Sequence, residues 1–211
     1  MGIRLTTYFI LLGLLALVPV LDLDRPNLLL ENQLFTESSF VELTQLVLLA
    51  ASLIAVSTLW RCPQYGPVGA FLGFLLAGAM VREMDFFLDR WFFDGAWQVL
   101  LSVLLGGTVV YLWPRRSVLW QRLGELPQTV GFGMMFSGFA VVMAFSRLFG
   151  RDSFWRQVMG SGYDRSVKNL AEESVELLGY AILTVGVVEC VLALRAAAHR
   201  EALCGQACSA S

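Results

Sequence analysis

Charged side chains that could do chemistry are concentrated in two short stretches of an otherwise apolar sequence. The first stretch, residues 81–90, holds Arg82, Glu83, Asp85 and Asp89 among large apolar side chains. At about 100° per residue, Arg82, Asp85 and Asp89 fall within about 60° of one another, on one face of a helix. An arginine flanked by two carboxylates can bind a cation or exchange a proton, or it can form ion pairs at a helix end.

The second stretch, residues 169–176, holds Glu172, Glu173 and Glu176. Glu172 and Glu176 are one helical turn apart, so they can converge on a cation or on Arg82. Asn169 followed by Glu172 is close to a capping box, and acids are favoured at a helix N-terminus in any case. We therefore expect Glu172 to cap the last helix, whereas Glu176 lies a full turn further into the apolar run.

Glu189 is an isolated acid inside the last apolar run, and Arg195 is the charged residue nearest to it in sequence. An acid at the centre of a membrane helix costs about 2.5 to 3.5 kcal/mol on insertion scales, so it indicates a functional site by default. Glu189 and Glu176 lie on different faces, because the helix turns through about 220° between them. The alternative role of Glu189 is a protonated side chain that bonds to a neighbouring helix, or a partner of Arg195.

The composition places the rest of the chain in a membrane. Of 211 residues, 57% are hydrophobic and 15% are charged, and the mean hydropathy is +0.66. An ordinary soluble domain has roughly 45 to 50% apolar and about 25% charged residues. A soluble globule of this composition could not cover its surface with polar groups, so the remaining apolar surface must face lipid.

Apolar runs long enough to cross a bilayer predict an all-α polytopic membrane protein, a bundle of about six transmembrane helices. The six runs are Thr6 to Leu21, Leu43 to Trp60, Val68 to about Arg82, Trp97 to Trp113, Thr129 to Leu148 and Val175 to Leu194. The first run has no small-x-small cleavage site, so we expect it to stay as an anchor. Residues 1–198 would form a single six-helix domain, and residues 199–211 a short, disordered cytoplasmic tail.

The distribution of arginines predicts the orientation. With six spans both termini lie on one side, where Arg61, Arg115, Arg116 and Arg122 occupy short loops that are almost free of acids. On the other side the basic residues are interleaved with Asp and Glu. By the positive-inside rule both termini are cytoplasmic, and the two charged stretches lie at similar depth on the outer surface.

Small residues recur four positions apart in three of the runs, a spacing that lets helix backbones approach closely. They are Gly69, Gly73 and Ala77, then Ser102 and Gly106, then Gly133 and Ser137. These stripes predict a compact bundle.

Several chemistries are excluded by residue type. The single histidine, His199, lies in the tail beside Arg200, so histidine-based zinc, di-iron and haem sites are not expected. Ser161 has no base to activate it. The sequence thus identifies no cofactor and no metal site. Coordination of Ca²⁺, Mg²⁺ or Mn²⁺ by clustered carboxylates and proton exchange by carboxylates of raised pKa stay open.

Three blocks of the sequence resemble a family of uncharacterised multi-pass bacterial inner-membrane proteins. The blocks are ESSFVELTQLVLL (Glu37 to Leu49), REMDFFLDR (Arg82 to Arg90) and EESVELLGY (Glu172 to Tyr180). The resemblance implies an inner-membrane location and a helical architecture, and it implies no reaction.

Three functions are compatible with these residues, and the sequence does not decide whether the protein is an enzyme. The favoured one is a small transporter or ion-binding protein that uses Glu189 and the outer Arg/carboxylate cluster. The second is a membrane-embedded enzyme that acts on lipid-linked substrates, with Asp85, Asp89, Glu172 or Glu176 as acid, base or metal ligand. The third is a non-catalytic assembly partner. We expect the lipid bilayer as a partner, with another membrane protein or a second copy left open, and no nucleic acid.

Overall fold

The computed structural model of the chain describes residues 2–23 and 40–209, and these residues are almost entirely helical. About 90% of the residues are helical, and no strand occurs in the described ranges. The α-helices there are α1 (Gly2–Leu15), α2 (Val18–Leu23), α3 (Phe40–Ser57), α4 (Gly66–Glu83), α5 (Asp85–Trp91), α6 (Ala96–Leu112), α7 (Arg116–Leu123), α8 (Val130–Ala140), α9 (Ser146–Phe149), α10 (Asp152–Met159) and α11 (Arg165–Ser209). The predicted all-α class is confirmed.

Short segments of 3-10 or π-helix extend several of these helices. Thr58–Arg61 continues α3, Trp113–Arg115 joins α6 to α7, and a π-helical turn at Val141–Phe145 joins α8 to α9. Residues 37–39, which open the first of the three sequence blocks, lie outside the described ranges, as do residues 210 and 211 of the predicted tail. Helix α11 itself continues to Ser209, past the boundary at residue 198 that the sequence suggests.

Four helical segments in the described ranges are long and apolar enough to cross a membrane. They are Phe40–Arg61, Ala96–Gln128, Val130–Phe149 and Arg165–Cys204, and they contain the second, fourth, fifth and sixth predicted spans. The first predicted span, Thr6–Leu21, is a shorter apolar segment in which a turn separates α1 from α2. Helix α4 covers the third, but its glycines, Pro67 and terminal Arg82 and Glu83 dilute its apolar residues. The count of about six spans is therefore not confirmed.

The described residues form two compact units, each with its own packing. The first consists of the described parts of Met1–Leu48 together with Met134–Val185, and the second of Leu49–Gly133 together with the described residues from Gly186 onward. Helix α11 contributes buried side chains to both. In its most apolar stretch 67% of the residues are buried, against 6% in the Ala96–Gln128 segment.

In the first unit, α8 and α11 touch backbone to backbone. A Cβ added to Gly138 would meet the backbone nitrogen of Leu183 and would lie 2.6 Å from the carbonyl oxygen of Gly179. A Cβ added to Gly179 would lie 2.6 Å from Cγ2 of Val142. Only glycine leaves room for this contact, because any side chain at either position would push the backbones apart.

In the second unit, the start of α8 makes the same kind of contact with α11. A Cβ on Gly131 would meet the backbone nitrogen of Cys190 and would lie 2.6 Å from the carbonyl oxygen of Gly186. On α8 the glycines in contact with α11 are therefore seven apart, and they are not Gly133 and Ser137, which the sequence suggested. Gly69 of the predicted stripe on α4 does make a close contact, because a Cβ added there would lie 3.1 Å from Leu59 Cβ. Gly133 has nothing within 4 Å of its Cβ position, and Ser137 is exposed.

We expect Gly138→Ala to lower the thermal stability of the detergent-solubilised protein. The added methyl group meets backbone atoms of α11 that cannot move independently, and overpacking of this kind costs about 1–3 kcal/mol. Gly133→Ala is the matched control on the same helix, because its methyl group enters open space and alanine favours a helix over glycine. Thermal unfolding followed by circular dichroism tests the pair, and equal midpoints would contradict the close contact.

Candidate functional site

The structure divides the predicted charged cluster between the two units. Four of its members belong to the second unit, namely Arg82, Glu83, Asp85 and Asp89, and the other three belong to the first, namely Glu172, Glu173 and Glu176.

The helix that carries the first group is interrupted. Helix α4 ends at Glu83, Met84 has φ −101° and ψ 10°, and α5 begins at Asp85. The spacing argument that placed Arg82 on one face with Asp85 and Asp89 assumed a continuous helix, so it does not hold across this break. Arg82 and Glu83 are half-buried, and Asp85 is exposed.

Asp89 has a structural role at the start of α6. Its Oδ1 accepts hydrogen bonds from the backbone N–H groups of Gly95 at 3.0 Å and Ala96 at 3.1 Å. Gly95 has φ +87°, a left-handed conformation that glycine adopts without strain. The carboxylate thus accepts from N–H groups at the start of the helix, and it shares the Ala96 N–H with the carbonyl of Phe93, which lies 3.0 Å from the same nitrogen.

Glu172 is paired with a lysine on its own helix. Lys168 Nζ lies 3.5 Å from a carboxylate oxygen of Glu172 and 3.8 Å from one of Asp152. The Glu172 carboxylate also packs against Gly150, where an added Cβ would lie 2.6 Å from its Cδ. A hydrogen bond from Tyr163 lowers the pKa of Asp152, so this acid stays ionised beside the lysine.

The prediction that Glu172 caps the last helix is wrong, because α11 begins seven residues earlier, at Arg165. Asp164 occupies the position before it, and its Oδ1 accepts a hydrogen bond from the backbone N–H of Ser166 at 2.8 Å. The backbone carbonyl of Glu173 accepts a hydrogen bond from Gln45, which is buried, at 3.3 Å. Glu176 is half-buried.

Glu189 lines a half-open cavity of about 510 Å³ in the second unit. Its polar lining includes Glu125, Gln128, Thr129 and Arg200. The cavity therefore offers carboxylate, amide and hydroxyl oxygens together with one guanidinium group. Oxygen atoms of these kinds bind protons and hard cations.

The same cavity reaches the N-terminus of α8, since Val130 and Gly131 also line it. Thr129 precedes this helix, and its hydroxyl oxygen accepts a hydrogen bond from the backbone N–H of Phe132 at 3.2 Å. Unpaired N–H groups and the helix dipole stabilise negative charge at a helix N-terminus. Glu189 and the first turn of α8 thus line the same cavity.

A network of hydrogen-bonded side chains adjoins the cavity at Glu125; its other members are Tyr65, Arg122 and Glu201. The hydroxyl of Tyr65, which is fully buried, donates to Glu125 Oε2 at 2.7 Å, and Arg122 donates to Glu125 Oε1 at 2.9 Å. The Arg122 guanidinium lies 4.9 Å over the Tyr65 ring. Its two terminal nitrogens also bind Glu201 on α11, at 2.7 and 3.0 Å. Two parallel charge-assisted hydrogen bonds of this type are strong and directional.

Burial, followed by the hydrogen bond to Glu125, raises the pKa of Tyr65 to about 12. The sequence analysis did not identify this network, because the partners of Arg122 are up to 79 positions away along the chain. One signal was present: Arg122 and Glu125 are opposite charges three residues apart in a loop that is otherwise basic.

Comparisons with protein-family models, with curated proteins and with solved structures find no match to this chain. Within the described ranges no group of three or more His, Cys, Asp and Glu side chains is placed to hold a metal ion. Glu189, an acid within an apolar helix of membrane length, and the polar cavity around it are the features on which a function can be argued.

The unfolding free energy should fall as the pH rises from about 10 to about 12, because the unfolded chain loses the Tyr65 proton first. A pKa difference of this size corresponds to about 3 kcal/mol. Chemical denaturation in detergent across this range measures the fall, and Tyr65→Phe should remove it. Tyr111→Phe, which leaves Tyr65 in place, should keep it. A fall of the same size in Tyr65→Phe would refute the assignment to Tyr65.

Proposed function

We propose that this chain is a multi-pass bacterial inner-membrane protein that binds a proton or a cation at Glu189, as a small transporter or ion-binding protein does. The observation that carries the proposal is the position of Glu189. It lies within a helix apolar enough to cross a membrane, and it lines an open cavity with other oxygen donors. An ionisable group in such a place is costly to keep unless it has a function.

Exposed apolar surface supports the membrane location. The Ala96–Gln128 segment is only 6% buried in its most apolar stretch, and its side chains include Val103 at 65% and Val110 at 77% exposure. An apolar face of this length is not tolerated in water and is stable against lipid. The resemblance of three sequence blocks to bacterial inner-membrane proteins supports the same location.

The proposed topology has six spans in one domain, with both termini in the cytoplasm. It adds α4 and the Thr6–Leu21 segment to the four long apolar helices. The arginines that favour this orientation include Arg61, Arg115 and Arg122, all of which follow the ends of apolar helices.

Access favours Glu189 as the binding group. The cavity is half-open, so an ion from the water phase can reach the carboxylate. Oxygen atoms of Glu125, Gln128 and Thr129 line the same cavity and can share a bound proton or cation.

Glu125 gives the cavity a connection to the charged network. It lines the cavity and also holds Tyr65 and Arg122. In the proposed orientation this network lies at the cytoplasmic end of the cavity. A proton or cation released from Glu189 would therefore leave past Glu125 and Arg200.

Glu189→Gln tests the proposal in proteoliposomes that contain an entrapped pH-sensitive dye. Under an imposed potassium diffusion potential, the wild type should carry protons, and Glu189→Gln should fall to the rate of protein-free liposomes because an amide does not ionise. Asp94→Asn is the matched control, because it makes the same charge change at an exposed residue outside the long apolar segments.

A cation that binds without being transported is detected by a separate measurement, the melting temperature. A bound cation raises the melting temperature by mass action, so Na⁺, K⁺, Mg²⁺ and Ca²⁺ are titrated into the detergent-solubilised wild type and Glu189→Gln. A shift seen only in the wild type supports a binding protein. Wild-type flux at the background rate, together with equal melting temperatures under every cation, would refute the proposal.

A further inference from the structure

An apolar groove of about 480 Å³ runs along the second unit between α3, α4 and α6, on a different set of residues from the Glu189 cavity. Its floor is built from small residues, which include Gly69, Gly73 and Gly107. The absence of side chains at these positions creates the groove. Along α6 it extends from Leu104 to Tyr111, a rise of about 10 Å.

One end of the groove is amphipathic. Trp60 and Tyr111 line it there, and both side chains are exposed. A Cβ on Gly66 would lie 3.6 Å from the Tyr111 hydroxyl, so the start of α4 and the end of α6 meet at this end. Tryptophan and tyrosine rings that are apolar on one side and polar on the other settle at the depth of lipid head groups.

A positively charged side chain, that of Arg115, lies at the same end of the groove. The Arg115 guanidinium lies 4.3 Å over the Tyr111 ring and donates a hydrogen bond to the Tyr111 carbonyl at 2.9 Å. Arg61 directly follows Trp60 and is exposed. The groove thus combines an apolar channel with one arginine, Arg115, stacked on the tyrosine at its aromatic mouth, and a second, Arg61, next to Trp60 in the chain.

We propose that this groove binds one acyl chain of an anionic membrane phospholipid, whose head group lies at Arg115 and Arg61. The apolar lining matches a hydrocarbon chain, and the charge at the mouth is complementary to a phosphate group. Basic sites beside membrane helices bind anionic lipid head groups in this way. The inference is independent of the proton or cation site at Glu189.

Two adjacent glycines on α6 test the apolar part of the site. Gly106 and Gly107 both have open space around a Cβ, and of the two only Gly107 lines the groove. Native mass spectrometry of the detergent-purified protein, titrated with phosphatidylglycerol, measures the bound lipid. We expect Gly107→Leu to lower the bound fraction about tenfold, because leucine fills the space of the chain, and Gly106→Leu to keep it.

Two adjacent arginines test the head-group part. Arg115 contacts the ring of Tyr111, which lines the groove, whereas Arg116 lies over Trp113, which does not. The wild type should retain phosphatidylglycerol in preference to phosphatidylcholine with the same chains. Arg115→Gln should weaken phosphatidylglycerol binding about fivefold, while Arg116→Gln leaves it unchanged.

Equal retention of the two lipids by the wild type would overturn the proposal, as would equal loss in Gly106→Leu and Gly107→Leu. A dimer that dissociates only in Gly107→Leu would assign the groove to a second copy of the chain and would also overturn it. If size-exclusion chromatography shows that Gly107→Leu does not fold, the Arg115 and Arg116 pair and the lipid preference of the wild type decide.

Discussion

Direct contact between the backbones of α8 and α11 determines where the chemically interesting side chains of this protein can lie. Gly131 rests on the carbonyl of Gly186 and on the backbone of Cys190, so the N-terminus of α8 is held beside the residue that precedes Cys190, which is Glu189. A side chain at Gly131 would push the two helices apart and would alter the cavity that Gly131 and Glu189 both line. The shape of the cavity thus depends on the lack of a side chain at this position.

The other acids show how an apolar protein accommodates charge. Asp89 satisfies unpaired N–H groups at a helix start, and Glu172 and Asp152 share one lysine. Tyr65 and Glu201 surround Arg122 with acceptors. Each charge has a partner that reduces its desolvation cost, because unpaired ions are too costly away from water. Pairs of this kind stabilise a fold, and an acid that also lines an open cavity, as Glu189 does, can bind something from outside.

Where the sequence analysis differed from the structure, the reason was local backbone geometry. The helical-face argument for Arg82 assumed a continuous helix, and the chain breaks at Met84. The expected cap at Glu172 assumed that the helix begins with the apolar run, but polar residues from Arg165 onward are helical as well. The hydropathy of a segment indicates which part of a helix is apolar enough for a membrane, but it does not indicate the residue at which the helix begins. The third apolar run forms α4, but Pro67, its glycines and above all its terminal Arg82 and Glu83 dilute its apolar residues too much for it to be counted as a span by composition.

Composition and periodicity were sufficient to derive an all-helical protein with membrane-length apolar segments, because the apolar content of a run and its length are local properties of the sequence. They also identified Glu189, since an acid inside an apolar run is conspicuous without a structure. The cavity around Glu189, the network of Tyr65 and Arg122, and the lipid-sized groove could not be derived in this way. Each one requires residues far apart in the chain to meet, and the tertiary packing of the helices decides which of them do.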